Sequence, residues 1–400
     1  MDKKRNLPAI ELHARIEKLQ KTMAARDVGG VLIVQKTDLY YYSGTGQQGV
    51  LYVPVEGAAL LMVVKDYERA RAETDIQEVV PLTSNKKIPQ ILAEYNYPVV
   101  SCLGMELDVL PVNLYFQYKA LFDKAELVDI STEIRLLRAV KSNFEVEKIR
   151  KAAELSDKLA SKVPEFLVAG KTEVELAGEL EGYARTLGHQ GIVRMRLWGS
   201  ELFYGHLLSG AAAAVPSYLA SPTGGQGVST VIAQGAGYKK IVAGEPVLVD
   251  YVFTYDGYLS DHARIFSIGK LSQDLLAAHE AMLEIMHEIT NLAKPGMETG
   301  VLYETMVELA AKKGYADYFM GVGERRIRFT GHGVGLELDE FPFIAKGQKL
   351  CLKEGMVIAF EPKTIFPGKG VVGIENTHLV TQSGLEPLTR YPDEICVVSG

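Results

Sequence analysis

The chain has 400 residues, a formal net charge of −7 and 47% hydrophobic residues, so it is long enough for two domains with packed cores. The acidic balance, without a basic stripe, argues against a nucleic-acid partner. No apolar run reaches the roughly 18–20 residues that a membrane span needs, and the start is not that of a signal peptide. The three cysteines are sparse and lack metal-binding spacing, which indicates a reducing compartment. We therefore expect a cytoplasmic protein without nucleic-acid or membrane partners.

The first third of the chain alternates helix and strand patterns. Apolar spacing predicts helices at about 9–26, 66–73, 87–95 and 111–122. Strands are predicted near 31–35, 50–54, 58–64, 78–82, 99–104 and 126–130, while 39–46 is expected to be a Gly-rich aromatic loop. This alternation is typical of an α/β domain with a mixed sheet, which we place at residues 1–135.

The remainder, residues 136–400, contains an internal repeat of helix, helix, strand and strand. Helices are predicted at 142–163 and 170–188, and again at about 272–293 and 299–314. Ser142 and Glu145 form a predicted capping box at the start of the first of these helices. The repeat predicts an α+β domain of two halves related by a pseudo-two-fold axis. The alternative is that ordinary helix signals recur by chance.

In the first half, residues 247–266 have the pattern of two strands joined by the turn Asp256-Gly257, because a type I′ turn needs positive φ at both central residues. With that turn, residues whose numbers sum to 513 face one another, and Asp250 lies diagonally across from Asp261 on one face. Two carboxylates in an apolar hairpin are normally paired or bound to a metal. An exposed hairpin with two solvated aspartates is the alternative.

The second half repeats this pattern, since Glu361 follows a glycine by six residues, as Asp250 does, and Glu375 lies on the next strand. Between the two strand pairs, His332 is flanked by glycines, which lets the backbone approach closely and directs one imidazole inward. Oxygen ligands with one imidazole favour Mn²⁺, Co²⁺, Fe²⁺ or Zn²⁺. A single-ion site is the alternative to a two-ion site, and it would leave surplus carboxylates close together.

The motifs D-x10-D, GHGVG, FEP and IEN resemble those of the M24 metallopeptidase family, which has the pita-bread fold and includes methionine aminopeptidase, aminopeptidase P and Xaa-Pro dipeptidases. The resemblance covers about residues 142–400. The N-terminal domain is similar in size to that of the prolidase, aminopeptidase P and creatinase branch. The resemblance implies a pair of divalent ions and hydrolysis of peptide bonds, often next to proline. The implied metal ligands are Asp250, Asp261, His332, Glu361 and Glu375.

The resemblance also assigns a role to each ligand. Two ions need bridging carboxylates, which Asp261 and Glu375 are expected to supply. Asp250 is expected to bind one ion, and His332 with Glu361 the other. Glu361 is also the best candidate to transfer a proton during catalysis.

Two histidines that the resembling enzymes place near the substrate are replaced here by Asp339 and Ser217. We expect both positions to bind substrate, and we name His206 as the candidate replacement for a catalytic imidazole. A structural role for His206 is the alternative. An ionised Asp339 only accepts hydrogen bonds, so it either points out of the pocket or faces a cation, which is a substrate amine or a nearby arginine. We favour a pair with Arg264, Arg326 or Arg328, or the outward position. The loop 209–227 is expected to act as a lid.

The favoured function is that of a dinuclear metal-dependent hydrolase of short peptides, similar to an Xaa-Pro dipeptidase or aminopeptidase. The resemblance further implies a homodimer. One alternative is a metal-binding homologue without peptidase activity. Another is a non-peptidase enzyme on the same fold, creatinase-like or a lyase, although the intact ligand set argues against creatinase-like chemistry, which does not use it.

Overall fold

The computed structural model describes residues 6–399, and the chain divides into two compact units, 1–138 and 139–400. This division lies three residues from the predicted domain boundary. Residues 1–5, which belong to the start that was judged not to be a signal peptide, lie outside the described residues. None of the helices within 6–399 combines the length and the apolar character that a bilayer crossing requires.

The first unit is built on a mixed sheet, as predicted. Its strands are β1 (Gly30–Ile33), β2 (Gly49–Pro54), β3 (Leu60–Val63), β4 (Glu78–Pro81), β5 (Cys102–Met105) and β6 (Glu126–Asp129). The helices that begin in it are α1 (Ala9–Ala24), α2 (Lys36–Ser43), α3 (Tyr67–Glu73), α4 (Ile88–Glu94), α5 (Val112–Leu121) and α6 (Ser131–Ala139). The strand order is β4-β3-β2-β1-β5-β6, with β1 antiparallel to β2 and parallel to β5. Leu32 and Tyr52 on the sheet pack with Ile88 and Tyr118 on the helices.

The expectation of a loop at 39–46 was wrong, because most of this stretch belongs to helix α2. The side chain of Gln35 caps the helix start by accepting hydrogen bonds from the backbone N–H groups of Thr37 and Asp38, at 2.6 and 2.8 Å. The helix ends at Gly44, whose φ of 76° lies in the left-handed region that terminates helices. Gly44 therefore terminates helix α2 and is not part of the predicted loop.

The second unit contains two pairs of helices, two larger sheets and two short hairpins. The helices are α7 (Asn143–Phe166), α8 (Glu173–Thr186), α9 (Gln273–Leu292) and α10 (Thr299–Lys312). The strands of the first half are β7 (Gly205–Ser209), β8 (Val247–Tyr251), β9 (Phe253–Tyr255), β10 (Tyr258–Ser260) and β11 (Ala263–Ile268). Those that follow are β12 (Phe329–Gly333), β13 (Glu340–Ala345), β14 (Val357–Phe360), β15 (Lys363–Phe366), β16 (Gly370–Gly373), β17 (Asn376–Thr381), β18 (Gly384–Pro387) and β19 (Cys396–Val398).

The two halves of this unit repeat one arrangement, which confirms the predicted internal repeat. The first sheet has the order β19-β11-β8-β7 and the second β13-β12-β14-β17-β18, and each half adds a short hairpin, β9-β10 or β15-β16. Helices α7 and α8 pack on the first sheet, and α9 and α10 pack on the second. The capping box of Ser142 and Glu145 is present at the start of α7. This is the predicted α+β architecture.

The central hairpin has the predicted register. Asp256 and Gly257 have φ values of 48° and 87°, as a turn of this type requires. Tyr255 pairs with Tyr258, and Asp250 pairs with Ala263, so facing residue numbers sum to 513 along the hairpin. The register brings the two aspartates of the hairpin to one edge of the sheet.

Candidate active site

A cavity open to solvent lies between the two halves of the unit 139–400. All of the predicted metal ligands line it, two from the first half and three from the second: Asp250, Asp261, His332, Glu361 and Glu375. The structure therefore brings together the carboxylates and the imidazole that the sequence indicated.

Asp261 is held so that one of its oxygens faces the cavity. Its backbone N–H donates to Thr377 Oγ1 at 3.0 Å, and the Thr377 hydroxyl donates to the Asp261 carbonyl at 2.8 Å. Asp261 Oδ1 accepts a hydrogen bond from the backbone N–H of His262 at 2.9 Å. The other oxygen, Oδ2, lies 3.6 Å from His332 Nε2. The backbone thus fixes one carboxylate oxygen and leaves the second for a ligand.

Glycines on both sides of His332 allow neighbouring strands to approach the backbone closely. A Cβ at Gly331 would lie 2.3 Å from the carbonyl oxygen of Ala359, and a Cβ at Gly333 would lie 2.2 Å from that of Phe341. No side chain fits at these distances. The two glycines therefore let β12 lie between β13 and β14 with the imidazole of His332 directed into the cavity.

The ring of His332 is oriented by its own backbone. Nδ1 lies 3.2 Å from the carbonyl oxygen of Gly333, and because a carbonyl only accepts, Nδ1 carries the proton. In the neutral ring, Nε2 is then free to bind a metal, as is usual when the other nitrogen is held by a hydrogen bond. Nε2 lies 3.6 Å from Asp261 Oδ2 and 3.8 Å from Glu375 Oε1.

Glu375 is 1% exposed and lies where the two halves join. Its backbone N–H and carbonyl form hydrogen bonds with the carbonyl and N–H of Ala263, at 3.3 and 3.2 Å. Its Oε2 accepts a hydrogen bond from Lys363 Nζ at 2.6 Å. Its Oε1 is buried and accepts no hydrogen bond from any residue in 6–399. A buried carboxylate oxygen of this kind needs a partner, and an ion would supply one.

Asp261, His332 and Glu375 fit one divalent ion. Each offers one ligand atom, and these three atoms lie within 4.8 Å of one another. Ligands about 2.0–2.2 Å from a shared ion lie at most about 4.4 Å apart. The separations of 3.6 and 3.8 Å that involve His332 Nε2 are within this limit. Glu375 Oε1, the buried oxygen that accepts no hydrogen bond from the described residues, is one of the three ligand atoms in this group.

Lys363, which the sequence interpretation missed, lies on the other side of the site. Its ammonium donates to Asp250 Oδ2 at 2.8 Å, Glu361 Oε2 at 3.1 Å and Glu375 Oε2 at 2.6 Å. Burial would lower the pKa of Lys363, but these three carboxylates hold it well above the usual value, so the group is a cation. A signal was present in the sequence, because residues two apart in an extended segment share a face, which places Lys363 beside Glu361.

The carboxylates of the site carry a surplus of negative charge. Burial raises the pKa of Asp261 and Glu375 well above the usual values, and neighbouring carboxylates add to this rise. Burial also raises the pKa of Glu361, despite the opposing effect of Lys363. One ammonium therefore does not neutralise the cluster, and the site favours a further cation.

The position of the Asp339 side chain differs from the predicted one. It lines the cavity, and its Oδ1 lies 3.8 Å from His332 Nδ1, so the prediction that it pairs with an arginine or points outward was wrong. The proposed partner Arg264 is instead buried against the C-terminal segment, where it pairs with Asp393 at 2.7 Å. Burial would lower the pKa of His332, but Asp339 and the other carboxylates of the site raise it.

His206 lines the cavity, as expected, and lies opposite Asp250 in the pairing of β7 with β8. Its Nε2 lies 3.2 Å from Gln234 Oε1, and its Nδ1 lies 3.3 Å from Thr223 Oγ1. Burial lowers the pKa of His206, with Asp250 opposing this shift. The ring is thus held by the long loop that follows β7.

The structure places Ser217 outside the set of described residues that line the cavity. Its hydroxyl donates to the carbonyl oxygen of Ala233, which turns it towards the interior of the loop. The same loop instead contributes Leu219, Ala220 and Ser221 to the cavity wall. The part of this loop that lines the cavity thus lies two to four residues after Ser217.

Comparisons with known proteins agree with this architecture. The model of metallopeptidase family M24 matches residues 147–382, and that of the creatinase/prolidase N-terminal domain matches residues 15–140. An Xaa-Pro dipeptidase of Pyrococcus furiosus is 31% identical over 388 residues, which cover 95% of this chain and 99% of that protein.

Solved structures give the same result. An Xaa-Pro dipeptidase from Bacillus anthracis superposes with a TM-score of 0.82 at 26% identity, over 97% of this chain and 100% of that one. An X-Pro aminopeptidase from Thermotoga maritima superposes with a TM-score of 0.80 at 26% identity, over 96% and 99% of the two chains. The predicted combination of a creatinase-like N-terminal domain with a pita-bread domain is confirmed. The chain is a metallopeptidase of family M24 that carries the creatinase/prolidase N-terminal domain.

Proposed function

We propose that this chain is a metal-dependent exopeptidase that hydrolyses short peptides, with Xaa-Pro dipeptides as its preferred substrates. The observation that carries the proposal is the group of Asp261, His332 and Glu375, whose ligand atoms lie within 4.8 Å of one another in a cavity that is open to solvent. The preference for proline rests on the relatives, which are named as Xaa-Pro dipeptidases. Among Mn²⁺, Co²⁺, Fe²⁺ and Zn²⁺, we favour Mn²⁺ because most ligands are carboxylates.

A divalent ion bound by these residues supplies Lewis acidity to the scissile carbonyl and lowers the pKa of the attacking water. The protein's own groups bind the substrate and transfer protons. Glu361 lines the cavity beside the ion ligands, and we assign to it the transfer of a proton to the leaving amine.

We propose that Asp339 binds the N-terminal ammonium of the substrate. Its carboxylate faces the cavity, and a carboxylate there accepts hydrogen bonds from an ammonium group. The cavity lining also includes the apolar residues Met195, Leu202 and Leu338, which suit the side chains of a dipeptide. This arrangement selects peptides with a free N-terminus.

A panel of dipeptides tests the proposal. Protein loaded with Mn²⁺ is expected to hydrolyse Ala-Pro at least about 10-fold faster than Ala-Ala, which corresponds to roughly 1.4 kcal/mol of discrimination. N-acetyl-Ala-Pro should be a poor substrate, because it has no ammonium for Asp339. His206→Ala is expected to slow hydrolysis, since this residue lines the cavity.

The panel also distinguishes the alternatives. Metal binding without hydrolysis of either dipeptide, with any of the four ions, would contradict the proposal and favour a metal-binding homologue without peptidase activity. If Ala-Ala is hydrolysed as fast as Ala-Pro, the proposed peptidase activity stands but the proposed preference for proline is wrong. Asp261→Asn serves as the inactive control, because this residue belongs to the group that fits an ion.

We further propose that the protein acts as a homodimer in the cytoplasm. Trp198 is 97% exposed, and Phe203 and Tyr218 are 60% exposed, in segments that also line the cavity. Aromatic side chains are enriched at subunit interfaces. All three cysteines are free, which suits a reducing compartment. Light scattering at micromolar concentration is expected to give twice the mass of one chain, and the mass of a single chain would contradict the dimer.

A further inference from the structure

The ammonium of Lys363 occupies the space that a metal ion would take between three of the predicted ligands. It lies 2.8 Å from Asp250 Oδ2, 3.1 Å from Glu361 Oε2 and 2.6 Å from Glu375 Oε2. A lysine ammonium has three N–H donors, and here each is directed to a different carboxylate. A metal ion bound by the same three oxygens would have to lie where the nitrogen lies.

The position of Lys363 is fixed by the surrounding backbone. The residue is 1% exposed and opens strand β15, where it pairs with Gly373 of β16. Gly373 has a φ of 147°, and a Cβ there would lie 2.6 Å from the Cα of Lys363. The carbonyl oxygen of Lys363 accepts a hydrogen bond from the N–H of Met320 at 2.9 Å. The side chain therefore enters the site from a closely packed strand and not from a mobile loop.

Glu375 links the ammonium to the group that fits an ion. Its Oε2 accepts from Lys363, whereas its Oε1 is the buried oxygen without a hydrogen bond in the described residues and lies 3.8 Å from His332 Nε2. A carboxylate that bridges two metal ions uses its two oxygens in the same way. Here Oε2 binds the ammonium of Lys363, and Oε1 faces the group that fits an ion.

Charge repulsion disfavours a second divalent ion beside the ammonium. The five carboxylates of residues 6–399 that line the cavity, including Asp339, carry with the ammonium a formal charge of −4, so the total charge does not by itself set the number of ions. A second divalent ion would, however, lie against the ammonium of Lys363, where repulsion in a buried site is strong.

We propose that the ammonium of Lys363 permanently takes the place of one metal ion, so that the chain binds a single divalent ion through Asp261, His332 and Glu375. This departs from the two ions that the sequence motifs implied, because Asp250 and Glu361 bind the ammonium instead of a metal. The inference goes beyond the proposed activity, since metal content is measured without any substrate.

Metal stoichiometry tests the inference. The full chain is stripped with a chelator, dialysed against Mn²⁺, and analysed for manganese per chain by elemental analysis. Wild type is expected to hold one ion, and Lys363→Gly, which vacates the ammonium position, is expected to hold two. Lys369→Gly is the matched control, because Lys369 lies in the turn after β15, is exposed and pairs with Asp274 at the surface. It should keep one ion.

Two variants of the ligands test the same inference on the wild-type lysine, in case Lys363→Gly does not fold. Asp250→Asn is expected to keep one ion, because Asp250 binds only the ammonium. Asp261→Asn is expected to lose it, with at least a 10-fold weaker affinity for Mn²⁺. A thermal unfolding scan provides a second readout, since Mn²⁺ should raise the Tm of wild type and Asp250→Asn but not that of Asp261→Asn.

Two ions per wild-type chain, with a drop to one in Asp250→Asn, would overturn the inference, and so would a wild-type chain that binds none. These outcomes are separate from the failure of the proposed function. A chain that holds one ion but hydrolyses no dipeptide contradicts the peptidase and leaves the single-ion site intact.

Discussion

The variant Glu361→Gln is expected to hydrolyse a dipeptide substrate at least ~10²-fold more slowly than wild type, which is the lower end for removal of a general acid or base. The amide keeps the shape of the side chain but does not transfer a proton. Glu361 accepts a hydrogen bond from Lys363 at 3.1 Å, and Asp250 and Glu375 still hold the ammonium in the variant. The site should therefore stay assembled, and kcat should fall more than KM rises.

Glu354→Gln is the matched control for this experiment. Glu354 lies just before strand β14, which Glu361 follows, but it is exposed and outside the cavity lining. We expect its activity to equal that of wild type. Activity of Glu361→Gln within a few-fold of wild type would show that another group transfers the proton.

The second large effect is expected on stability. Arg264 is 2% exposed, and its guanidinium donates to the carbonyl oxygens of Ala263 and Glu375 at 2.9 and 3.0 Å and to Asp393 at 2.7 Å. Arg264→Met removes these donors together with those to the carbonyl oxygens of Tyr391 and Pro392, and the loss of this buried network is expected to cost about 3–5 kcal/mol in the free energy of unfolding. Urea denaturation followed by circular dichroism measures the loss.

A surface arginine provides the comparison. Arg150 forms a bidentate pair with Glu386, and both side chains are about one-third exposed. Arg150→Met should cost less than about 1 kcal/mol, because solvent screens an exposed pair. Equal losses in the two variants would contradict the role assigned to Arg264. Its contact with the Glu375 carbonyl further predicts weaker metal binding in Arg264→Met.

Features that depend on local chemistry could be predicted from the sequence. The dipeptide Asp256-Gly257 predicts a type I′ turn because both of its residues tolerate positive φ. That turn sets the strand register that brings Asp250 and Asp261 to one edge of the sheet. The capping box at Ser142 is equally local. The recurrence of such signals in both halves was sufficient to predict the repeat.

Features that depend on contacts distant in sequence were harder to predict. Asp339 was expected to pair with an arginine, but its backbone, with a φ of 62°, directs it towards His332. Helix α2 was taken for a loop because its cap, Gln35, is an uncommon capping residue. Lys363 was missed because a search for metal ligands selects carboxylates and imidazoles and not ammonium groups. Its spacing of two residues from Glu361 nevertheless placed both side chains on one face.

The hydrogen-bonded ion pairs of Lys363 also cross the junction of the two halves. Asp250 belongs to the first half, whereas Lys363, Glu361 and Glu375 belong to the second, so the ammonium joins them with hydrogen bonds of 2.6–3.1 Å. An enzyme whose halves are clamped only by exchangeable ions loses that clamp when metal is scarce. Here one cation is part of the polypeptide, so we expect metal starvation to abolish activity without loosening the contact between the halves, and activity to return when an ion binds.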